Sequence, residues 1–257
     1  MRRWSVPQQP GIALAGALVV LLVIALGGSW VGRLQVGGKI ASAALRAVVQ
    51  LALVSVVITA VLGDLAWSAV FAVLMFGVAV FTSSDRIGSR RAWPWVAVSL
   101  AAGVVPVLAV IFLSGVVPLN GPSLVPMAGI IIGGAMTANS LTGRRVFAAL
   151  RDQHGMYEAA LSIGLPRPDA ITEVVGRHLP EALLPGLDQT RTVGLVTLPG
   201  AFVGVLLGGG TPVQAGAAQV LVLFGLLAAQ TLTVVVAHQL IRRARLLPYD
   251  LRTSLIR

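Results

Sequence analysis

The chain contains no cysteine, which excludes disulfides, iron–sulfur clusters and thiolate metal sites. Its single lysine, Lys39, lies in Gly37-Gly38-Lys39-Ile40. A Walker A loop needs a glycine where Arg33 stands and a hydroxyl where Ile40 stands, so this chain does not hydrolyse ATP by that route. Neither His-Glu-x-x-His nor Gly-x-Ser-x-Gly occurs, which removes the familiar metalloprotease and hydrolase signatures. Charge is scarce as well: 11% of residues are charged, against about 25% in an ordinary soluble domain. Residues 192–241 carry no Asp, Glu, Lys or Arg at all. No internal repeat or low-complexity linker divides the chain, which reads as one domain over 1–257.

What the chain has instead is apolar length. Hydrophobic residues make up 56% of it and the mean hydropathy is +0.90. A bilayer core needs about 20 apolar residues per helix. Runs near that length fall at 11–31, 47–63, 65–84, 93–117, 121–142, 192–209 and 212–241. The expected fold is an all-α polytopic integral membrane protein of about seven transmembrane helices. Gly208-Gly209-Gly210-Thr211-Pro212 is the expected hairpin turn between the last two. Met1-Arg2-Arg3 before the first run resembles the start of a secretory signal. No Ala-x-Ala site closes that run, so it reads as a retained span.

Basic residues mark the cytoplasmic side. With the N-terminus outside and the C-terminus in the cytoplasm, Arg33, Lys39, Arg46, Arg86, Arg90, Arg91, the 143–191 segment and the Arg242–Arg257 tail all fall inside, and only Arg2 and Arg3 dissent. The formal net charge of +10 is thus a topology signal and argues against nucleic-acid binding, and the expected location is the plasma membrane.

Residues 144–191 form the one long polar stretch. Arg144, Arg145, Arg151, Arg167, Arg177 and Arg191 are balanced there by Asp152, Glu158, Asp169, Glu173, Glu181 and Asp188. Such mixed sign suits a protein surface better than an anionic lipid surface. Val146, Leu150, Met156, Ala160 and Ile163 recur at helical spacing. Gly164-Leu165-Pro166-Arg167-Pro168 then breaks the helix, and Asp169 is the expected N-cap of a second one reaching about His178. The result is a cytoplasmic helical elbow between spans five and six.

Other polar or small residues stand out within the apolar runs. Arg46 and Gln50 lie one turn apart on one helix face. Met136, Thr137 and Asn139 cluster near the inner end of the fifth span with Ser140 and Thr142, either bonding across helices or lining a hydrated path. Gly200, Gly204 and Gly208 make a small-residue stripe after Pro199, read as close helix packing or as a hinge. Asp188 and Arg191 form an i, i+3 pair. In a chain without cysteine, a metal ion would call on carboxylate or imidazole donors. The spans offer only border residues Asp64 and Asp85, with His238 near the inner end of the last, so no metal site is assignable.

Glu158-Ala159-Ala160-x-x-x-Gly164 resembles the EAA motif by which permeases of ABC transporters grip their ATPase. Leu45-Arg46-Ala47-Val48-Val49-Gln50-Leu51, the run from Pro126 to Met136, Leu161-Ser162-Ile163-Gly164 and the run from Asp188 to Gly200 stand in order. Together they resemble the FetB family of iron-export ABC permeases, with plant aluminium-tolerance relatives. The likeness covers about 35–240, and 188–200 is its most specific part. Where the family usually has Asn before the Ala-Met pair, this chain has Gly134. The resemblance implies a homodimeric transport subunit that binds no cofactor itself and works with a cytosolic ATPase carrying ATP and Mg. Glu158, Ala159, Ala160 and Gly164 would then couple the two. The rival expectations are an ATP-independent channel or secondary transporter, an ABC permease for a sugar nucleotide, and a scaffold without transport.

Overall fold

The computed structural model describes residues 11–256; Arg2, Arg3 and Arg257 of the topology argument, and the Met1-Arg2-Arg3 lead, lie outside them. The described residues contain eleven α-helices. They form two compact units divided between Val61 and Leu62. The first unit holds α1 (Ile12–Val31) and nearly all of α2 (Gly37–Gly63). α2 begins well before the expected Ala47 and so includes Lys39 and Arg46.

The second unit is built on α3 (Leu65–Arg86), α4 (Trp93–Leu113), α5 (Gly121–Asp152) and α10 (Pro212–Arg242). Caps set the starts of three of them. The Asp64 carboxylate accepts from the amides of Ala66 and Trp67 at 2.8 and 3.1 Å, and Asn120 Oδ1 accepts from the Ser123 amide at 3.0 Å. Thr211 and Gln214 close a reciprocal capping box on α10. The four helices pack where side chains vanish. A Cβ on Gly103 of α4 would strike Thr233 and the Ala229 carbonyl of α10, and one on Gly134 of α5 would strike Leu226. Core residues such as Leu100, Ile131, Ala135 and Ala229 are fully enclosed between them. The outward faces carry exposed Val73, Leu74, Val78, Val105 and Val110, as lipid-facing helices should.

α3, α5 and α10 run one way and α4 runs the other. Their shared end bears α6 (His154–Ser162) and α7 (Arg167–Val175), the expected elbow. α5, at 32 residues, continues past the expected Thr142 as far as Asp152. A helix of that length spans about 48 Å, more than the ~30 Å hydrocarbon core.

Among the described residues, six helices are long and apolar enough to cross a membrane. The expected span at 192–209 is not a continuous helix. α8 (Leu184–Thr192) ends there, Val193 pairs with Thr197 in an isolated bridge, and Gly194 sits at φ +81°. Pro199 then starts α9 (Gly200–Leu207), only 8 residues long. That helix is about 12 Å, too short to span. The chain nonetheless advances alongside α10 here, from its middle to its start. Gly186 lies against Gln230 in the middle of α10, α9 packs along α10, and Thr211 caps its far end. The expected seventh span is therefore a broken segment, and six continuous candidate spans remain among the described residues. Asp169 also differs from expectation: Pro166 is the N-cap of α7, and Asp169 instead meets Arg242.

Candidate functional site

The elbow is joined firmly to the helices beneath it. α7 turns Ala170, Ile171, Val174 and Val175 into the core, all at 2% exposure or less. Burying a Val or Ile side chain contributes roughly 1.5–3 kcal/mol. Polar contacts fix its orientation: Arg242 of α10 donates to Asp169 at 2.8 Å, Thr172 lies 3.4 Å from His238, and Arg145 of α5 meets Glu181 at 3.1 Å. α6 leans on α7 and buries Tyr157 and Ala160. Its other side is open. Glu158 and Ala159 are exposed, with Glu158 3.4 Å from His154 as its i, i+4 neighbour. Gly164 ends the helix at φ +91°, a left-handed conformation that favours glycine. Ile163 beside it is 81% exposed. Of the expected coupling residues, Glu158, Ala159 and Gly164 thus form one accessible surface, while Ala160 anchors it.

The expected pathway residues fall in both units and are described in each. Arg46 and Gln50 lie on the exposed side of α2 in the first unit. In the second, Met136 is half-buried against the core, and Thr137 is exposed with its hydroxyl turned back to the Gly133 carbonyl at 2.9 Å. Asn139 is enclosed and joins three helices. Ser99 of α4 donates to Asn139 Oδ1 at 2.9 Å, and Asn139 Nδ2 donates to Ser83 of α3, also at 2.9 Å. Ser83 lies 3.1 Å from Ser140. The amide is interhelical glue in this state.

α10 carries polar residues that are not among those expected from the sequence. Gln219, Gln230 and Thr233 are buried, and Gln219 Oε1, Gln230 Oε1 and Thr233 Oγ1 have no hydrogen-bond partner among the described residues. Gln230 and Thr233 lie 11 and 14 residues after Gln219, which brings all three to nearly one face of a helix, a pattern visible in the sequence once Gln is counted among the polar signals. A buried oxygen without a partner costs about 1–3 kcal/mol. Gln230 Oε1 projects toward Gly186 of α8, where a Cβ would overlap it, and its amide also lies beside Gly134 of α5.

Gly200 and Gly204 face open space, with nothing within 4 Å of where a Cβ would stand, so they pack against no other part of this chain among the described residues. Gly208 caps α9. Asp188 and Arg191 form the expected pair at 3.8 Å, both largely exposed. No cluster of three or more His, Asp or Glu occurs among the described residues.

The fold thus defines an all-α, multi-pass membrane protein whose helices end in a structured elbow. The chain belongs to the uncharacterised protein family UPF0014, whose model matches residues 12–246. It is 31% identical over 230 residues to the UPF0014 membrane protein STAR2 of Oryza sativa subsp. japonica, covering 88% of this chain and 80% of the relative. Protein ALUMINUM SENSITIVE 3 of Arabidopsis thaliana is 28% identical over 233 residues, 90% of this chain and 85% of that one. The probable iron export permease protein FetB of Escherichia coli (strain K12) is 32% identical over 149 residues, 58% of this chain and 57% of that one. No solved structure matches the chain.

Proposed function

We propose that this chain is the membrane-spanning permease subunit of an ABC transporter, energised by a separate ATPase that binds ATP and Mg and docks on the elbow. The observation that carries this reading is the elbow itself. It offers an open Glu158–Ala159–Gly164 surface to a partner, yet α7 is buried against α5 and α10, so a push on the surface reaches the membrane helices. A conformational change needs a differential interaction with its two states, and ATP-driven closure of the partner supplies one.

The elbow end is read as cytoplasmic and the membrane as the plasma membrane. Among the described residues of the second unit, every Arg belongs to that end or to the elbow and α8, and the opposite end carries Asp64. That asymmetry is the positive-inside pattern. Through one broken crossing and six continuous ones, the N-terminus falls outside. Two ATPases closing symmetrically call for two permease copies. The exposed Gly200 and Gly204 and the non-helical 193–199 stretch, with Leu195 90% and Val196 77% exposed, suit a surface that a second copy covers.

A metal ion is the proposed cargo. The name of the Escherichia coli relative supports iron. The unpartnered oxygens of Gln219, Gln230 and Thr233 are neutral donors of the type hard cations accept. They would hold an ion weakly enough to release it.

Capture of the detergent-solubilised chain from native membranes tests the reading. Deleting the elbow would strip out core residues such as Val174, so exposed substitutions serve better. The wild type should recover an ATPase with a Walker A loop, and E158R/A159W should lose it while reaching the membrane at normal levels. Metal-stimulated ATP hydrolysis by the recovered complex would support the cargo assignment. Flux in liposomes driven by a gradient, without any ATPase, would replace this reading with a channel or secondary transporter.

A further inference from the structure

At the elbow end of the second unit, the turn after α3 and the turn after α10 border a half-open cavity of about 600 Å³. Arg90, Arg91, Arg245 and Arg252 line it, together with Trp95 and Tyr249. Asp85 engages Arg90 at 2.7 Å. Arg91, Arg245 and Arg252 have no carboxylate within 4.0 Å among the described residues. The nearby Asp250 is occupied elsewhere, accepting from Arg151 at 2.8 Å.

Its walls are fixed by the fold. The buried Ser89 hydroxyl donates to the Leu247 carbonyl at 3.0 Å, tying the two turns together. The Arg245 guanidinium stacks over the Trp95 ring, 4.8 Å from its centroid, an arrangement that holds the cation in place. Gly88 at φ +67° and Ala244 at φ +57° make the two sharp reversals. For alanine that conformation costs roughly 1–2 kcal/mol, so the reversal that delivers Arg245 to Trp95 is maintained against local preference.

We infer that this cavity binds a phosphate-bearing anion, and that its occupant in the membrane is the headgroup of an anionic phospholipid. Guanidinium groups match phosphate oxygens in geometry and charge. The depth fits: the pocket lies at the ends of α3, α4 and α10, beside the exposed Trp93, and Trp marks the membrane–water interface. A basic pocket between spans at this level is where lipid phosphate is available at high local concentration. The bound headgroup would bridge the α3–α4 turn to the α10–α11 turn. That adds a clamp at the base of the elbow, independent of whatever the elbow docks.

Native mass spectrometry of the full chain in dodecylmaltoside tests the inference, with dioleoylphosphatidylglycerol, dioleoylphosphatidylcholine and inorganic phosphate as probes. The wild type should retain phosphatidylglycerol in preference to phosphatidylcholine. R91A/R252A should weaken that retention by about tenfold or more, while R86A/R243A, which removes equal charge outside the cavity, should not. Binding of inorganic phosphate with the same dependence on Arg91 and Arg252, but without phosphatidylglycerol retention, would keep the anion site and assign it to a free phosphate compound. Equal losses in both variants, or no loss in either, would overturn the inference. All four substituted arginines are exposed, and circular dichroism would verify that each variant retains its helices.

Discussion

The Tyr157 hydroxyl donates a 2.8 Å hydrogen bond to the main-chain carbonyl of Leu255, joining α6 of the elbow to α11 (Tyr249–Ile256). Both residues are buried. Together with Arg151–Asp250, this contact seats the C-terminal helix against α5 and α6. Tyr157→Phe keeps the ring but leaves the Leu255 carbonyl without that donor, at a cost of about 1–2 kcal/mol. Hydrogen exchange should quicken across 249–256 and hardly change in α10. Unchanged exchange in α11 would mean that the packing of Leu251 and Leu255 alone holds it.

The same contact predicts an alkaline dependence. Burial raises the Tyr157 pKa above its ordinary 10.0, with Arg167 opposing that shift. The folded state therefore holds the phenolic proton more tightly than the unfolded chain does. Its contribution is complete below pH about 10 and is lost as pH rises through the elevated value. Asp250 acts on the acid side: its hydrogen bond from Arg151 lowers its pKa, so the pair's contribution is present above the ordinary carboxylate range and fades as pH falls through the depressed value. Because that pair is exposed, it is worth less than about 1 kcal/mol. Thermal unfolding in detergent should show a loss above about pH 10 that Y157F lacks.

Asn139 holds α3, α4 and α5 through Ser83 and Ser99. Asn139→Ala should lower stability by roughly 1–3 kcal/mol, since it removes two buried hydrogen bonds that tie α5 to α3 and α4, leaving Ser83 with Ser140 and Ser99 with the Val96 carbonyl. Ser99→Ala removes one bond of the set and should cost less. A melting temperature for N139A equal to that of wild type would show that water replaces the amide.

Gly186 makes room for Gln230. A methyl at that position overpacks the α8–α10 contact, with an expected cost of about 1–3 kcal/mol. Gln230→Ala should relieve much of the defect in the G186A background, so the pair should be non-additive in a double-mutant cycle. Strict additivity would place the strain elsewhere.

Gly164 tests transmission through the elbow. Its φ of +91° is unsuited to a β-branched side chain, so Gly164→Val should cost about 1–3 kcal/mol locally and turn the α6–α7 corner. Membrane insertion should be normal, whereas transport driven by ATP should fall relative to ATP hydrolysis. Normal transport by that variant would count against coupling through this corner.

The continuous spans are legible in the sequence because a long charge-free run has few alternatives in lipid. The broken segment is not, since hydropathy measures composition while Gly194, Pro199 and Gly200 act through backbone geometry. α5 overruns its expected end because Arg144 and Arg145 mark where the membrane stops, not where the helix does. The elbow's two helices follow from Gly164 and Pro166, but the partner of Asp169 lies on α10, far along the chain. Asn139 is visible as a polar residue, whereas its partners on two other helices are not. Gln230 is inconspicuous inside an apolar run because its importance depends on the two glycines that face it.

The shortness of α9 bears on how the chain is made. Residues 193–211 leave the ribosome before α10, and an eight-residue apolar helix gives the translocon no span to partition into lipid. They must remain in a watery or protein-lined space until α10 has been synthesised and can receive them. Biogenesis of this segment is thus a post-insertion docking event, and truncating the nascent chain before α10 should leave 193–211 reachable by water-soluble labelling reagents.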